Sequence, residues 1–143
     1  MKSREVAFRI LEEVEIRDAY LNLVLPRFLN TVIERDAGFI TELVSGMYRN
    51  RGFLDFVIET ETQRTLQKID PPLRDILRLG VYQLLFMRTE NYAAVTETVN
   101  LVSLTKLASA RGFVNATLRS IAQHEVGYYQ ELASKSASNV WER

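Results

Sequence analysis

The feature that most constrains this chain is the run that begins Asp70-Pro71-Pro72 and continues as Leu73, Ile76, Leu77, Leu79, Val81, Tyr82, Leu84, Leu85, Phe86 and Met87. Aspartate suits a helix cap, proline is tolerated in a first turn, and the spacing that follows predicts a helix apolar around most of its circumference. Such a helix needs neighbours on nearly every side. It is too short and too interrupted, by Gly80 and Gln83, to span a bilayer. The remaining sequence must therefore wrap it, and Gly80 is the place where another helix is expected to cross closely.

The wrapping helices are legible by periodicity. Ser3 is a candidate cap for a helix carrying Val6, Ile10, Leu11 and Val14. Leu21, Val24, Leu25, Phe28, Leu29 and Val32 continue a stripe in which Pro26 should either kink the helix or open a new one. Residues 34–50 present Ala37, Ile40, Leu43, Val44, Met47 and Tyr48 on one face, and Gly52 suggests a break before 53–58 resumes the pattern. Two more periodic stretches, 93–107 and 111–121, flank a small-residue turn, and the Ser- and Ala-rich stretch 133–139 reads as a linker leading to Trp141. With three prolines, six glycines and no alternating β-branched runs, little reads as strand. The expected fold is all-α, an irregular bundle of about six to eight helices within one domain-sized chain of 143 residues.

Composition narrows the chemistry. The chain has no cysteine, which excludes disulfides, thiolate metal sites and a thiol nucleophile. No signal-peptide pattern opens it, so a cytoplasmic setting is expected. The glycines at 38, 46, 52, 80, 112 and 127 form no phosphate-cradling loop after a strand, and His124 stands alone in a polar stretch. No catalytic, metal or cofactor residues are expected within the chain. Eighteen basic residues balance eighteen acidic ones, so nucleic-acid binding would need a local patch, although all but Lys2, Lys68, Lys106 and Lys135 of the basic residues are arginine.

Two patches qualify. Arg111-Gly112-Phe113 with Asn115 opens a helix where a guanidinium and backbone N–H groups could meet phosphate and an aromatic ring could stack on a base. The competing reading makes Phe113 core and Asn115 a residue that holds the preceding turn. Lys2, Arg4 and Arg9 lie on the first helix, yet Glu5, Glu12, Glu13 and Glu15 share it, so a solvated mixed-charge face is equally open. Arg49-Asn50-Arg51 sits where cations complement a helix dipole, Arg74 and Arg78 read as an exposed stripe or a partner contact, and Asp55 and Glu97 suit internal salt bridges. Tyr82 is expected in the core, while Tyr128, Tyr129 and Trp141 are expected to be exposed for docking.

Taken in order and spacing, Asp36, the segment Glu42-Leu43-Val44-Ser45-Gly46-Met47-Tyr48-Arg49, then Leu54-Asp55, then Leu77-Arg78-Leu79-Gly80-Val81-Tyr82-Gln83-Leu84 resemble the NusB family of helical RNA-binding domains. Residues 94–99 and 112–119 resemble two further helix starts of that family, and the comparison covers residues 4–122. Within it, the wording around Tyr48-Arg49 and 77–85 looks more like the N-terminal domain of the RsmB (Sun/Fmu) ribosomal RNA cytosine-5 methyltransferases. The resemblance implies a NusB-like RNA-binding domain over 1–124 and a C-terminal helix or linker over 125–143 leading to a methyltransferase domain. It implies ribosomal RNA as partner, with Lys2, Arg4, Arg9, Arg111, Phe113 and Asn115 as the RNA-binding set. S-adenosylmethionine and the cysteine nucleophile would belong to that further domain. A free-standing antitermination factor and an interaction module without RNA binding are the alternatives; oligomeric state is left open.

Overall fold

The computed structural model describes residues 2–141, with side chains through residue 137. Eight α-helices form the chain among the described residues: α1 (Ser3–Arg17), α2 (Leu21–Leu29), α3 (Glu34–Arg49), α4 (Arg51–Thr62), α5 (Pro71–Phe86), α6 (Asn91–Val99), α7 (Arg111–Ile121) and α8 (Val126–Trp141). Three 3-10 turns, Leu66–Lys68, Asn100–Leu104 and Ala108–Ala110, join them. No strand occurs among the described residues, and none of their helices is long and apolar enough to cross a membrane.

The helix α5 is the axle. It packs against α1, α3, α4, α6 and α7, and Leu73, Ile76, Leu77, Leu79, Val81, Tyr82, Gln83 and Leu85 are all buried on it. The apolar pattern that filled its circumference is satisfied because helices lie around it, each contributing one stripe to a single core. Two glycines bring the helices close. A methyl group on Gly80 would come within 2.7 Å of Leu118 on α7, and one on Gly46 of α3 would overlap the Tyr82 ring. The predicted close crossing at Gly80 is the first of these. The Tyr82 hydroxyl donates to Glu42 at 2.6 Å, and burial followed by that carboxylate pushes its pKa up to about 12.

Local boundaries differ from the sequence expectation at several points. Lys2, extended, precedes α1, and Ser3 is its first helical residue without a capping bond. α1 ends on Asp18 in the left-handed region (φ 49°), and Pro26 falls inside the separate α2. The break between α3 and α4 is at Asn50, whose side chain donates back to the Gly46 carbonyl at 2.8 Å, so the chain turns there before Gly52 is reached. The periodic stretch 93–107 is helical only to Val99 and then tightens into a 3-10 turn. Residues 133–139, expected as a linker, continue α8; alanine, lysine and serine tolerate a helix, and the packing of Leu132 and buried Tyr129 against the core extends the amphipathic face.

Tyr129 corrects another expectation: it is fully buried, not exposed. Its hydroxyl donates to Glu61 near the end of α4, and burial, with that carboxylate second, raises its pKa. Tyr128 is exposed and stacks on His124 with ring centroids 3.8 Å apart. The side chain of Trp141 lies outside the described residues.

Candidate nucleic-acid interface

The two basic patches, more than ninety residues apart in sequence, meet on one face. A cleft of about 490 Å³ is lined by Lys2, Ser3, Arg4 and Glu5 from the start of α1, by Asp36 of α3, by Glu97 of α6, and by Asn100, Leu101, Ser103 and Leu104 of the 3-10 turn. Asn100 is the hinge between the patches: it lines this cleft, and its Oδ1 accepts a hydrogen bond of 2.6 Å from Nη2 of Arg111. The 3-10 tightening after Val99 is what presents Asn100 to both sides. Lys2, Asn100 and Arg111 are exposed.

Arg4 is different. Only 15% of its side chain is exposed. Its Nε donates to Gln83 Oε1 at 2.6 Å, Nη1 donates to and pairs with Glu97, and the guanidinium lies 5.1 Å from the centroid of the Phe39 ring. Sequence reasoning left Arg4 between a basic RNA-binding edge and a solvated mixed-charge face; the fold draws it into a polar network with Gln83 and Glu97.

Phe113 is half-buried and packs against the core. Its outer side is covered by Arg64, 4.7 Å from the ring centroid. Together with Lys68, Ile69, Asp70, Leu73 and Ala110 these residues line a second, shallower cleft of about 260 Å³. Ala110, which lines this cleft, adjoins Arg111 in the chain. Arg64 and Lys68 were missed in sequence because each stands isolated among polar residues at the end of α4 and in the 3-10 turn that follows. Asn115, on α7, is half-buried, with no hydrogen bond from its side chain to other described residues. Arg9 is not brought to either cleft; its Nη1 pairs with Glu12 at 2.7 Å.

A third cleft carries charge of both signs. Glu15, Arg51, Asp55, Pro71, Arg74, Asp75 and Arg78 line it. Arg78 donates from Nε and Nη2 to both oxygens of Asp55, at 2.7 and 3.1 Å, and from Nη1 to Asp75 at 3.3 Å. Burial alone would lower the Arg78 pKa, but its bonds and charges with Asp55 and Asp75 outweigh that and raise it. Burial pushes the Asp75 carboxyl up to about 6 against the pull of Arg78. Asp55 and Glu97 both form internal ion pairs. Arg74, which donates to the carbonyls of Ile69 and Gln67, is a clamp on the loop ahead of α5.

The chain belongs to the NusB family, whose model matches residues 1–123. It is 47% identical over 134 residues to a Mycobacterium tuberculosis protein assigned as a methyltransferase, an alignment taking in 92% of this chain and 29% of that protein. It is 36% identical over 125 residues to the ribosomal RNA small subunit methyltransferase B of Pseudomonas putida, covering 87% of this chain and 28% of that one. The chain thus spans under a third of the length of these relatives. Its fold is shared with a crystal structure described as the antitermination factors NusB and NusE in complex with double-stranded RNA, at a TM-score of 0.76 and 24% identity over 85% of this chain and 93% of that one.

Proposed function

We propose that this NusB-family chain is the RNA-binding domain of a small-subunit ribosomal RNA cytosine-5 methyltransferase, and that it grips the RNA backbone without performing chemistry itself. The observation that carries the reading is the convergence of Lys2 and Arg4 with Arg111 around Asn100. Three cations from two distant segments are gathered in a chain whose net charge is zero: Lys2 and Arg4 line the cleft beside Glu5, Asp36 and Glu97, and Arg111 is bonded to Asn100 on its wall. A formally neutral domain attracts a polyanion only where such cations are gathered, and phosphate contacts fix register on the RNA. The Arg64 guanidinium, lying over Phe113 near the start of α7, adds a further cation with a planar face. Asn115, half-buried on the same helix, fits a supporting role better than direct contact, and Arg9 a peripheral one.

The relatives favour the methyltransferase setting: the chain aligns with under a third of each, which leaves room for a catalytic portion. S-adenosylmethionine would bind in that portion. An enzyme acting on ribosomal RNA works in the cytoplasm. The test is equilibrium binding of a labelled small-subunit ribosomal RNA fragment across a salt series. The parent chain should bind with a log–log salt slope, and Lys2→Ala with Arg111→Ala should weaken binding and flatten the slope by about 1.4–1.8, from ~0.7–0.9 per phosphate contact. Salt-insensitive binding, or none, would remove the reading.

A further inference from the structure

Gln83 is completely buried on α5, an unusual place for an amide in a helix whose other inward residues are apolar. Its Nε2 donates to the Leu79 carbonyl at 2.9 Å and to the Thr98 hydroxyl of α6 at 2.9 Å. Both amide hydrogens are therefore used, and Oε1 is left facing Nε of Arg4 at 2.6 Å. The reverse orientation would set the amide nitrogen against a guanidinium donor and the amide oxygen against a carbonyl, so only one orientation of the side chain satisfies the site.

That orientation fixes Arg4 in turn. Gln83 holds Nε, Glu97 holds Nη1, and the Phe39 ring lies by the guanidinium. Nη2 has no partner among the described residues. No buried side-chain nitrogen or oxygen among them lacks one either, so Nη2 reaches solvent. Arg4 itself lines the cleft shared by Lys2 and Asn100. An arginine on a solvated helix would lose rotamer freedom on meeting a phosphate; this one has lost it already.

We infer that Gln83, oriented by Thr98, is a positioning residue for RNA binding: it sets the Arg4 guanidinium so that one edge is anchored inside the protein and the other is presented to a phosphate. The inference rests on the RNA-binding reading above and adds to it a buried residue that touches no RNA.

The experiment is a double-mutant cycle on the full 143-residue chain, with the labelled ribosomal RNA fragment and salt series as before and thermal melting of each variant in parallel. Gln83→Leu should weaken binding about five- to tenfold at ~0.1 M salt, by restoring freedom to Arg4. The same substitution in an Arg4→Ala background should have no further effect on affinity. Gln83→Glu, which keeps an acceptor for Nε of Arg4 but sets a second carboxylate against its guanidinium, should also weaken binding, and should do so only while Arg4 is present; Thr98→Val should show a smaller loss with the same dependence on Arg4. A Gln83→Leu effect that persists undiminished without Arg4 would make the residue merely structural and overturn the inference. So would binding that responds to Lys2 and Arg111 but is indifferent to Arg4 or Gln83, which leaves the function standing. A parent chain that binds no RNA overturns both.

Discussion

Arg4 and Arg78 are equally buried, each with 15% of its side chain exposed, and each is tied to carboxylates across helices. They differ in what is left over. Every nitrogen of the Arg78 guanidinium is bonded, to Asp55 and Asp75. Arg4 has one nitrogen bonded to a neutral amide, one to a carboxylate that is itself 44% exposed, and one directed to solvent. A guanidinium saturated by carboxylates is a structural part, whereas one anchored mainly by neutral groups keeps positive charge for a ligand. Burial and residue type alone do not separate the two roles.

The largest way to break this contrast is Arg78→Ala. It strands Asp55 and Asp75 without their cation and should cost about 3–5 kcal/mol in urea unfolding at neutral pH, while RNA affinity per folded molecule is unchanged. Arg4→Ala should be milder, about 1–2 kcal/mol, since it orphans one buried acceptor on Gln83, but it should weaken RNA binding about tenfold, a loss on the scale of one charge-assisted contact. If Arg78→Ala weakens RNA binding as much as Arg4→Ala, the distinction fails.

Asp75→Asn tests the saturated side through pH. Its folded pKa of about 6 lies above the ordinary aspartate value of 3.8. The folded chain therefore holds a proton there that the unfolded chain releases, and this group costs stability as pH rises from about 4 through 6. Asp75→Asn should flatten that part of the stability profile and stabilise the protein at pH 7.5 by on the order of 1 kcal/mol, read by denaturation at several pH values. Smallest of all, Glu97→Gln should change stability by about 0.5 kcal/mol or less, because Glu97 is half-exposed. It should tighten RNA binding about twofold by removing a carboxylate that competes for Arg4.

The axle α5 and its neighbours were legible because burial on most sides leaves an apolar pattern around most of its circumference. The site was legible in part. Lys2, Arg111 and Phe113 could be named from local context, but their assembly depends on Asn100, and the shift from α-helix to 3-10 geometry at that residue leaves no periodic trace. Arg4 was found for its charge, while its inward partners were not, since Gln83 reads as a break in an apolar run until Thr98 and Leu79 are seen to satisfy it. The continuation of α8 through 133–139 was hidden because serine and alanine suit turns and helices alike.

The two glycine contacts act like keyways on a shaft. Tyr82 projects into the space over Gly46 of α3, and Leu118 of α7 projects into the space over Gly80 of α5. Seated against α3 and α7 at these two points, α5 takes one register, and Gln83, the residue after Tyr82, takes its direction from it. On the RNA-binding reading, the tolerance with which an arginine on α1 would meet a phosphate is thus set in the middle of the bundle, by two positions that carry no side chain.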